Sequence, residues 1–349
     1  MIVQAQQPSR IPCRIALVGE APGEEEERHG VPFIGKSGRV INGALAAAGI
    51  DRAELFVGNV FLEKAEENNV TPWMRDPERL AAARDRLGRE LGAVQPTVIV
   101  PLGATALEAI AGVSEISRLR GSPFLSPGPV AAGVKLLPTF HPAFVLRQWK
   151  LLPVLIGDLI RASVEADRGP GIVWPWREFT LEPDLPDVRR WMTGTHADGV
   201  REWLADSRGE MFPSMLSSDL LSVDIETGWG EITCIGLAPD AEHAICIPFV
   251  DMRKPNKSYW ATAEEEIEAW RLLRTVLESD VPKLGQNFTY DAMWLLRQRG
   301  IRVRNYRHDT RLMHHALFPE LPKDLAFMAA SYTGKQWKQW GRRGDKRDE

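Results

Sequence analysis

The segment RIALVGEAPG, residues 14–23, decides the fold of the first part of the chain. A short apolar run that ends in glycine is typical of a buried strand, which here delivers the chain into a glycine-bounded loop. Further strands are predicted at 54–59 (ELFVGN), 97–103 (TVIVPLG) and 134–138. Helices are predicted between them at 39–49, 77–91 and 104–111. This alternation favours a three-layer α/β domain with a mostly parallel sheet.

The loops that follow these predicted strands carry four residues of interest. They are Glu20, Asn59, Gly103 and His141. The carboxyl ends of parallel strands meet at one edge of an open α/β sheet, and such folds bind their ligands there. We therefore expect these residues to lie at a single site.

The second part of the chain begins after a stretch rich in glycine and proline. Residues 167–186 lose all periodicity, which predicts a linker. Beyond it, helices are predicted at 187–208, 263–278 and 290–299, and strands at 220–224, 231–237 and 243–249. These elements predict a second α/β domain at 216–349, after a first domain at 1–165 and a linker with its helix at 166–215. The basic, nonperiodic end at 335–349 is expected to fray.

Composition and charge narrow the class of protein. With 349 residues, 44% of them apolar and 26% charged, the chain is long enough for two globular domains. The 43 basic residues against 47 acidic ones give a net charge of -4, so any grip on nucleic acid is expected to be local. We find neither a signal peptide nor a membrane span and expect a cytoplasmic protein. The three cysteines, Cys13, Cys234 and Cys246, are too few for a disulfide framework.

The residue types at the predicted sheet edge suit recognition of a pyrimidine base. The amide of Asn59 donates to one carbonyl and accepts from an adjacent ring N–H, which matches uracil and mismatches cytosine. A donor at His141 would stabilise the uracil anion as its bond to the sugar breaks, while Glu20 orients the attacking water and Phe33 stacks on the base. Each residue alone has an ordinary alternative: Asn59 as a turn cap, His141 as a satisfied core histidine and Phe33 as packing.

Three segments in this order resemble the uracil-DNA glycosylase superfamily, specifically its family-4 branch. They are GEAPG at 19–23, GVPFIG at 30–35 and TFHPA at 139–143. The resemblance extends over about residues 14–158. It implies water activation by Glu20, base stacking by Phe33, uracil recognition by Asn59 and leaving-group stabilisation by His141.

The same resemblance implies how DNA is held. Glu26 falls where such enzymes narrow the pocket against the thymine methyl, and the loop after His141 is expected to enter the duplex as the base flips. The residues implied in DNA contact are Ala143, Leu146 and Arg147 of that loop, the backbone N–H groups at Gly103 and Ala104, and Lys36 and Arg39.

Two features depart from the family-4 pattern. Family-4 enzymes usually carry four cysteines for a [4Fe-4S] cluster, whereas only Cys13 lies within this domain, so no iron-sulfur cluster is expected. The acidic segment FLEKAEENN at 61–69 replaces a basic, cysteine-bearing stretch and should weaken the attraction to DNA at that rim.

The second part of the chain carries a different set of acidic residues. DIET at 224–227 places the carboxylates of Asp224 and Glu226 on the same face of a strand. Together with GQNFTYD at 285–291, it resembles the DEDD-type 3′-to-5′ proofreading exonuclease domain of family-A DNA polymerases, which implies an RNase H-like α/β fold. The resemblance implies Mg²⁺ or Mn²⁺ at Asp224, Glu226 and Asp291, with Asn287 and Tyr290 placing the strand end.

The exonuclease resemblance is incomplete at its C-terminal end. The final Tyr-x3-Asp motif is not found, since neither Asp345 nor Asp348 has a tyrosine four residues before it. The second domain is therefore expected either to trim 3′ ends or to hold DNA or a polymerase.

Two hypotheses for the whole chain follow from these resemblances. The leading one is a phage-like glycosylase that removes uracil or a modified pyrimidine from single- or double-stranded DNA, in the host cytoplasm if it is phage-encoded. The alternative is a noncatalytic accessory module, or the N-terminal piece of a split phage DNA polymerase.

Overall fold

The computed structural model describes residues 1–194 and 204–333. Contacts divide the chain into two compact units, one formed by Met1–Val173 together with 320–333, the other by Trp174–Pro319. The domain limits predicted from the sequence divide the chain differently and stay a prediction. The predicted fraying of 335–349 concerns residues outside the described ranges.

The first unit alternates strands and helices. Its strands are β1 (Ile15–Gly19), β2 (Phe56–Asn59), β3 (Val98–Pro101), β4 (Phe124–Leu125) and β5 (Lys135–Leu136). Its helices before residue 174 are α1 (Glu24–His29), α2 (Lys36–Ala47), α3 (Thr71–Arg75), α4 (Pro77–Val94), α5 (Ala104–Ala111), α6 (Ile116–Leu119), α7 (Pro142–Arg147) and α8 (Leu152–Asp167). Short 3₁₀ turns occur at Arg52–Glu54, Glu66–Asn68 and Trp149–Leu151.

The sheet of the first unit is covered on both faces. Its order is β2-β1-β3-β5-β4, and every neighbouring pair is parallel except β4 with β5. All five residues of β1 are buried, as expected for a strand between two layers of helices. Ala16 and Val18 pack in one core cluster with Leu91 of α4 and Leu107 of α5, whereas α8 contacts β1 and β3 outside that cluster. The predicted three-layer α/β fold with a mostly parallel sheet is confirmed.

Parallel pairing brings the ends of the strands together. Gly19, the last residue of β1, is in register with Asn59, the last residue of β2. After β3, Leu102 forms a parallel bridge with Thr139. The loops that follow these positions therefore leave the sheet at one edge, as the sequence predicts.

The second unit contains a six-stranded sheet of order β13-β12-β9-β10-β11-β6. Its strands are β6 (Glu178–Thr180), β7 (Leu204–Ala205), β8 (Met211–Phe212), β9 (Leu221–Gly228), β10 (Glu231–Ala238), β11 (His243–Pro248), β12 (Lys283–Gly285) and β13 (Tyr306–Asp309). Its helices are α9 (Leu185–Thr193), α10 (Ala263–Leu277), α11 (Thr289–Arg299) and α12 (Thr310–Leu317). The next helix, α13 (Leu325–Tyr332), groups with the first unit.

Strand direction in this sheet follows the predicted RNase H-like plan. β9, β10 and β11 form an antiparallel meander, and β12 and β13 continue from β9 in parallel. A separate two-stranded ribbon joins β7 to β8. Among the described residues, no helix has the length and apolar character needed to cross a lipid bilayer.

The helix predicted at 187–208 is wrong in its extent. α9 starts earlier, because Asp184 caps it in reciprocal hydrogen bonds with Asp187, and it ends where Gly194 adopts a left-handed φ of 62°. Leu204–Ala205 form β7 instead of helix, and residues 195–203 lie outside the described ranges. The predicted linker also contains a strand, since β6 pairs with β11.

Candidate active site

The first pocket is built around Gly19 at the end of β1. A Cβ atom at this position would overlap the ring of Phe33 and lie 2.5 Å from Oδ1 of Asn59. Only glycine allows these two side chains to approach the strand end so closely. The structure thereby brings together three residues that are separated in the sequence.

The backbone conformation of Phe33 and two hydrogen bonds to its carbonyl oxygen fix the position of its ring. Its φ of 54° is unusual for a residue with a side chain, and the ring is 5% exposed. The carbonyl oxygen of Phe33 accepts hydrogen bonds from Nη1 of Arg52 at 3.1 Å and from Nδ2 of Asn42 at 3.3 Å. The ring centroid lies 6.4 Å from that of His141, so the aromatic wall and the histidine face the same space.

Asn59 presents an unsatisfied acceptor to this space. The residue is 3% exposed, and no donor among the described residues reaches its Oδ1. Its backbone oxygen is engaged separately, by Nη2 of Arg86 at 2.8 Å. Because a buried acceptor without a partner is costly, it is best explained by a donor that arrives with a ligand.

His141 is held in one tautomer at the start of α7. Its Nδ1 accepts a hydrogen bond from the backbone N–H of Ala143 at 3.1 Å, which leaves the proton on Nε2. Burial, together with the nearby charge of Arg147, lowers the pKa of His141 to about 4. The imidazole is therefore neutral near pH 7, with Nε2–H as a donor. Gly103, at φ 88°, packs beneath it, and a Cβ there would lie 2.9 Å from the histidine Cβ.

Glu20 is positioned by a residue that sequence reasoning missed. The hydroxyl of Thr105, in the first turn of α5, donates to Oε2 of Glu20 at 2.5 Å. The backbone oxygen of Glu20 accepts from the N–H of Phe61 at 3.0 Å. The signal for Thr105 was its place just after Gly103, where a helix begins at the predicted ligand edge.

Glu26 braces two loops through its carboxylate. The side chain is 5% exposed and accepts hydrogen bonds from the backbone N–H groups of Gly23, Ile34 and Gly35 at 3.1, 3.0 and 2.8 Å. These contacts tie the loop after β1 to the loop that carries Phe33. The predicted role of Glu26 at the pocket wall is a separate property and stays a prediction.

The residues predicted to contact DNA lie at or near the surface, except for Gly103, which is buried. Lys36 and Arg39 are exposed at the start of α2, and Arg39 pairs with Glu25 at 3.4 Å. In the segment after His141, Ala143 is half-buried, Leu146 is 41% exposed and Arg147 is exposed. Gly103 and Ala104 form the N-terminus of α5. The same surface contains Trp149, 59% exposed, which sequence reasoning did not single out.

The cysteine of the first unit is part of its core. Cys13 is 2% exposed and packs in the same apolar cluster as Ala16 and Leu91. Burial raises the pKa of its thiol. Cys234 and Cys246 lie in the second unit, on the neighbouring strands β10 and β11. The expected absence of an iron-sulfur cluster stays a prediction.

The second unit brings three predicted carboxylates close to β9. Asp224 and Glu226 share its exposed face, and Oδ1 of Asp291 accepts the backbone N–H of Ile225 at 2.9 Å. Burial, together with the negative charges of Asp291 and Glu226, raises the pKa of Asp224 to about 6. Burial also raises the pKa of Asp291. The carboxylates thus repel one another, as expected where a cation is to be held.

The neighbouring side chains order the start of α11. The hydroxyls of Tyr290 and Thr227 are 2.8 Å apart, and Oδ1 of Asn287 accepts from Nη1 of Arg311 at 2.6 Å. Asp309 accepts hydrogen bonds from the backbone N–H groups of Asn287 and Phe288, which holds the end of β13 to the start of α11. Within residues 1–194 and 204–333, no group of three or more His, Cys, Asp or Glu forms a ready-made metal cluster.

Sequence comparisons match each half of the chain to a different family. The profile of the Uracil DNA glycosylase superfamily matches residues 9–159, and the profile described as 3′-5′ exonuclease matches residues 214–348. The type-4 uracil-DNA glycosylase of Thermotoga maritima is 40% identical over 154 residues, which are 43% of this chain and 76% of the relative. The corresponding protein of Archaeoglobus fulgidus is 36% identical over 139 residues, covering 38% and 67%.

A third relative is similar to both halves at once. A DNA polymerase of Bacillus phage SP01 is 24% identical over 312 residues, which are 86% of this chain and 32% of that polymerase. Among solved structures, the EXD2 exonuclease domain soaked in Mn and GMP has a TM-score of 0.22 and 17% identity, over 34% of this chain and 57% of the other. By the 76% coverage of the Thermotoga relative, this chain belongs to the uracil-DNA glycosylase superfamily, and its second half matches the 3′-5′ exonuclease profile.

Proposed function

We propose that the first unit hydrolyses the N-glycosidic bond between uracil and deoxyribose in DNA. The observation that carries this proposal is Oδ1 of Asn59, a buried acceptor that no described residue satisfies, beside the ring of Phe33. The N3–H of uracil supplies the missing donor, and Nδ2 of Asn59 donates to O4. Cytosine presents an acceptor at N3 and a donor at C4, so it would meet both groups with the wrong partners.

His141 acts on the uracil side of the C1′–N1 bond, and Glu20 acts on its sugar side. Nε2–H of His141 donates to O2 of uracil and stabilises the negative charge that develops as the C1′–N1 bond breaks. A neutral donor suits this role because its tautomer is already fixed by Ala143. Glu20, held by Thr105, orients the water that adds to C1′ and offsets positive charge on the sugar. Phe33 stacks on the extruded base.

Duplex DNA is contacted by the segment after His141. We assign Leu146 and Trp149, both exposed apolar side chains, to the gap left by the flipped base. Phosphates are bound by Lys36, Arg39 and Arg147, and by the backbone N–H group of Ala104 at the start of α5, since the predicted donor Gly103 already gives its N–H to the oxygen of Thr139 at 2.9 Å. Such local contacts suit a chain of net charge -4, which acts on DNA in the cytoplasm.

The test is release of uracil from an oligonucleotide that contains a single deoxyuridine, followed by alkaline cleavage at the abasic site. We expect release by the wild-type chain, none from the matching thymidine or deoxycytidine oligonucleotides, and a large loss in Glu20→Gln and His141→Ala. Glu63→Gln, an exposed carboxylate of the same unit, is the matched control. No release by the wild type, or unchanged release in both variants, refutes the proposal.

For the second unit we propose binding of a divalent cation at Asp224, Glu226 and Asp291. The observation in favour is the closeness of these carboxylates: burial, together with the negative charges of Asp291 and Glu226, raises the pKa of Asp224. Mg²⁺ or Mn²⁺ bound there would supply charge stabilisation for hydrolysis of a 3′-terminal phosphodiester. Asn287 and Tyr290 would place the strand end. Holding DNA or a polymerase, without hydrolysis, is the alternative role.

Shortening of a 5′-labelled oligonucleotide distinguishes these roles. A ladder that depends on Mg²⁺ or Mn²⁺ and disappears in Asp224→Asn supports hydrolysis. Binding of the same oligonucleotide without shortening supports the holding role. Asp219→Asn, an exposed carboxylate near β9, is the control.

A further inference from the structure

The helix α13 is joined to the first unit by contacts of its own. The glycosylase profile ends at residue 159, whereas α13 lies within the range that matches the exonuclease profile. Its contacts nevertheless group it with Met1–Val173. A segment of the exonuclease-matched range is therefore part of the folded unit that contains Glu20 and His141.

Arg120 is the centre of this connection. Its side chain is 2% exposed and donates to the carboxylate of Asp158 from Nε at 3.2 Å and from Nη2 at 3.4 Å. Nη2 also donates to Oγ of Ser331 on α13 at 3.2 Å. Two aromatic rings face the guanidinium, that of Phe327 on α13 at 4.9 Å and that of Phe140 at 5.7 Å. One side chain thus contacts both α13 and the residue immediately before His141.

Asp158 extends the connection to the end of the sheet. Its Oδ2 accepts a hydrogen bond from Oγ1 of Thr139 at 2.7 Å. The backbone oxygen of Thr139 in turn accepts from the N–H of Gly103 at 2.9 Å, and Gly103 packs against His141. Because Arg120 and Asp158 are buried charges that compensate each other, a shift of one forces a shift of the other. Displacement of Arg120 therefore reaches Thr139 and Phe140, which precede His141.

The C-terminal end of α13 is fixed by Arg161 of α8. The guanidinium donates to the backbone oxygens of Ala330, Ser331 and Gly121, the last two at 2.5 Å. A cation at this end stabilises the partial negative charge of the last carbonyls of a helix. Gly121 has no space for a side chain, since a Cβ would lie 2.6 Å from Oδ1 of Asp158 and 2.9 Å from the oxygen of Ala330. The helix is therefore packed closely against this network.

We propose that Phe327 and Ser331 of α13 are positioning residues for base excision, which act through Arg120 on the segment that holds His141. The inference rests on the glycosylase function proposed above. It makes excision depend on a helix that lies beyond the range matched by the glycosylase profile.

The test uses Phe327→Ala and Ser331→Ala in the full chain. We expect kcat for uracil release to fall about tenfold in Phe327→Ala, with KM within about twofold, because Phe33 and Asn59 keep their contacts with the base. Ser331→Thr retains the hydroxyl and is expected to keep wild-type kcat. Leu325→Ala removes an exposed apolar side chain from the same helix and is the matched control.

The pKa of His141 is a second measurement that does not require uracil release. Loss of the Phe327 ring is expected to loosen the packing around His141, so its pKa, measured by NMR, rises from about 4 toward its ordinary value. Unchanged kcat and unchanged His141 pKa in both alanine variants overturn the proposal. So does a loss of kcat that only follows the unfolded fraction at the assay temperature. If the wild type releases no uracil while the pKa responds, the proposed activity fails and the connection stands.

Discussion

The hydroxyl of Thr105 and the carboxylate of Glu20 are joined by a hydrogen bond of 2.5 Å across the mouth of the pocket. Glu20 lies in the loop after β1, and Thr105 lies in the first turn of α5, which follows β3. The bond fixes one oxygen of the carboxylate and thereby sets the direction of the other. A carboxylate oriented in this way does not have to be ordered when DNA arrives, as the role proposed for Glu20 requires.

Thr105→Val tests this bond directly. The substitution keeps the shape of the side chain and removes its donor, so we expect the rate of uracil release to fall about tenfold while Kd for DNA changes little. Thr105→Ser keeps the hydroxyl and is expected to stay close to wild type. Single-turnover kinetics and DNA binding by fluorescence anisotropy measure the two quantities. Equal rates in Thr105→Val and wild type contradict the assigned role.

The pKa of His141 predicts a pH dependence of stability. The folded pKa is about 4 and the ordinary value is 6.5, so between them the unfolded chain binds more protons. The contribution of His141 is therefore present above about pH 6.5 and is lost as the pH falls toward 4. We expect His141→Gln to reduce the change in the free energy of unfolding between pH 6.5 and pH 4 by about 3 kcal/mol. Urea titrations at several pH values measure the free energy of unfolding, with the exposed His29→Gln as control. The prediction is refuted if the free energy of unfolding depends on pH with the same slope in His141→Gln and in the wild type.

Gly103 and Gly112 both have positive φ, so alanine substitutions at the two positions distinguish the cost of backbone strain from the effect of contact with His141. Gly103 (φ 88°) packs against His141, whereas a Cβ on Gly112 (φ 72°) would meet nothing within 4 Å. We expect Gly112→Ala to destabilise the fold by about 1 kcal/mol and leave uracil release intact. Gly103→Ala should cost about 1 to 3 kcal/mol and also lower the rate, since His141 must move. Thermal unfolding measures the stability of each variant, and uracil release measures its activity. Equal activity of the two variants contradicts the prediction.

Carboxylate crowding on β9 predicts that a neutral substitution stabilises the second unit. Because the pKa of Asp224 is raised to about 6, the stability that this group contributes is lost as the pH rises through that value. We expect Asp224→Asn to raise the free energy of unfolding at about pH 8 by about 1 kcal/mol, a figure reduced for solvent screening of an exposed side chain. The gain should vanish near pH 4. Mg²⁺ should stabilise the wild type more than the variant, and EDTA should reverse this; a gain independent of pH contradicts the prediction.

The sequence predicts the residues of the pocket better than the contacts that hold those residues in place. Short apolar runs locate β1, β2 and β3, and parallel pairing then places Asn59 beside Gly19. The bond from Thr105 to Glu20 depends on side-chain directions in a loop and in the first turn of a helix, which no local pattern contains. The end of α9 was missed because Gly194 acts as a helix stop within a continuing charge pattern. The packing of α13 joins segments far apart in the chain, a contact that periodicity cannot reveal.

Glu26 joins the two loops of the pocket by hydrogen bonds from three backbone N–H groups. Two loops that share one carboxylate lose their independent freedom when the chain folds, so little conformational entropy is left to lose when a base enters. The pocket is therefore rigid before a base enters, and it does not adapt its shape to the base. We therefore expect the pocket to reject a base with a larger substituent at C5, because the loops do not yield to it.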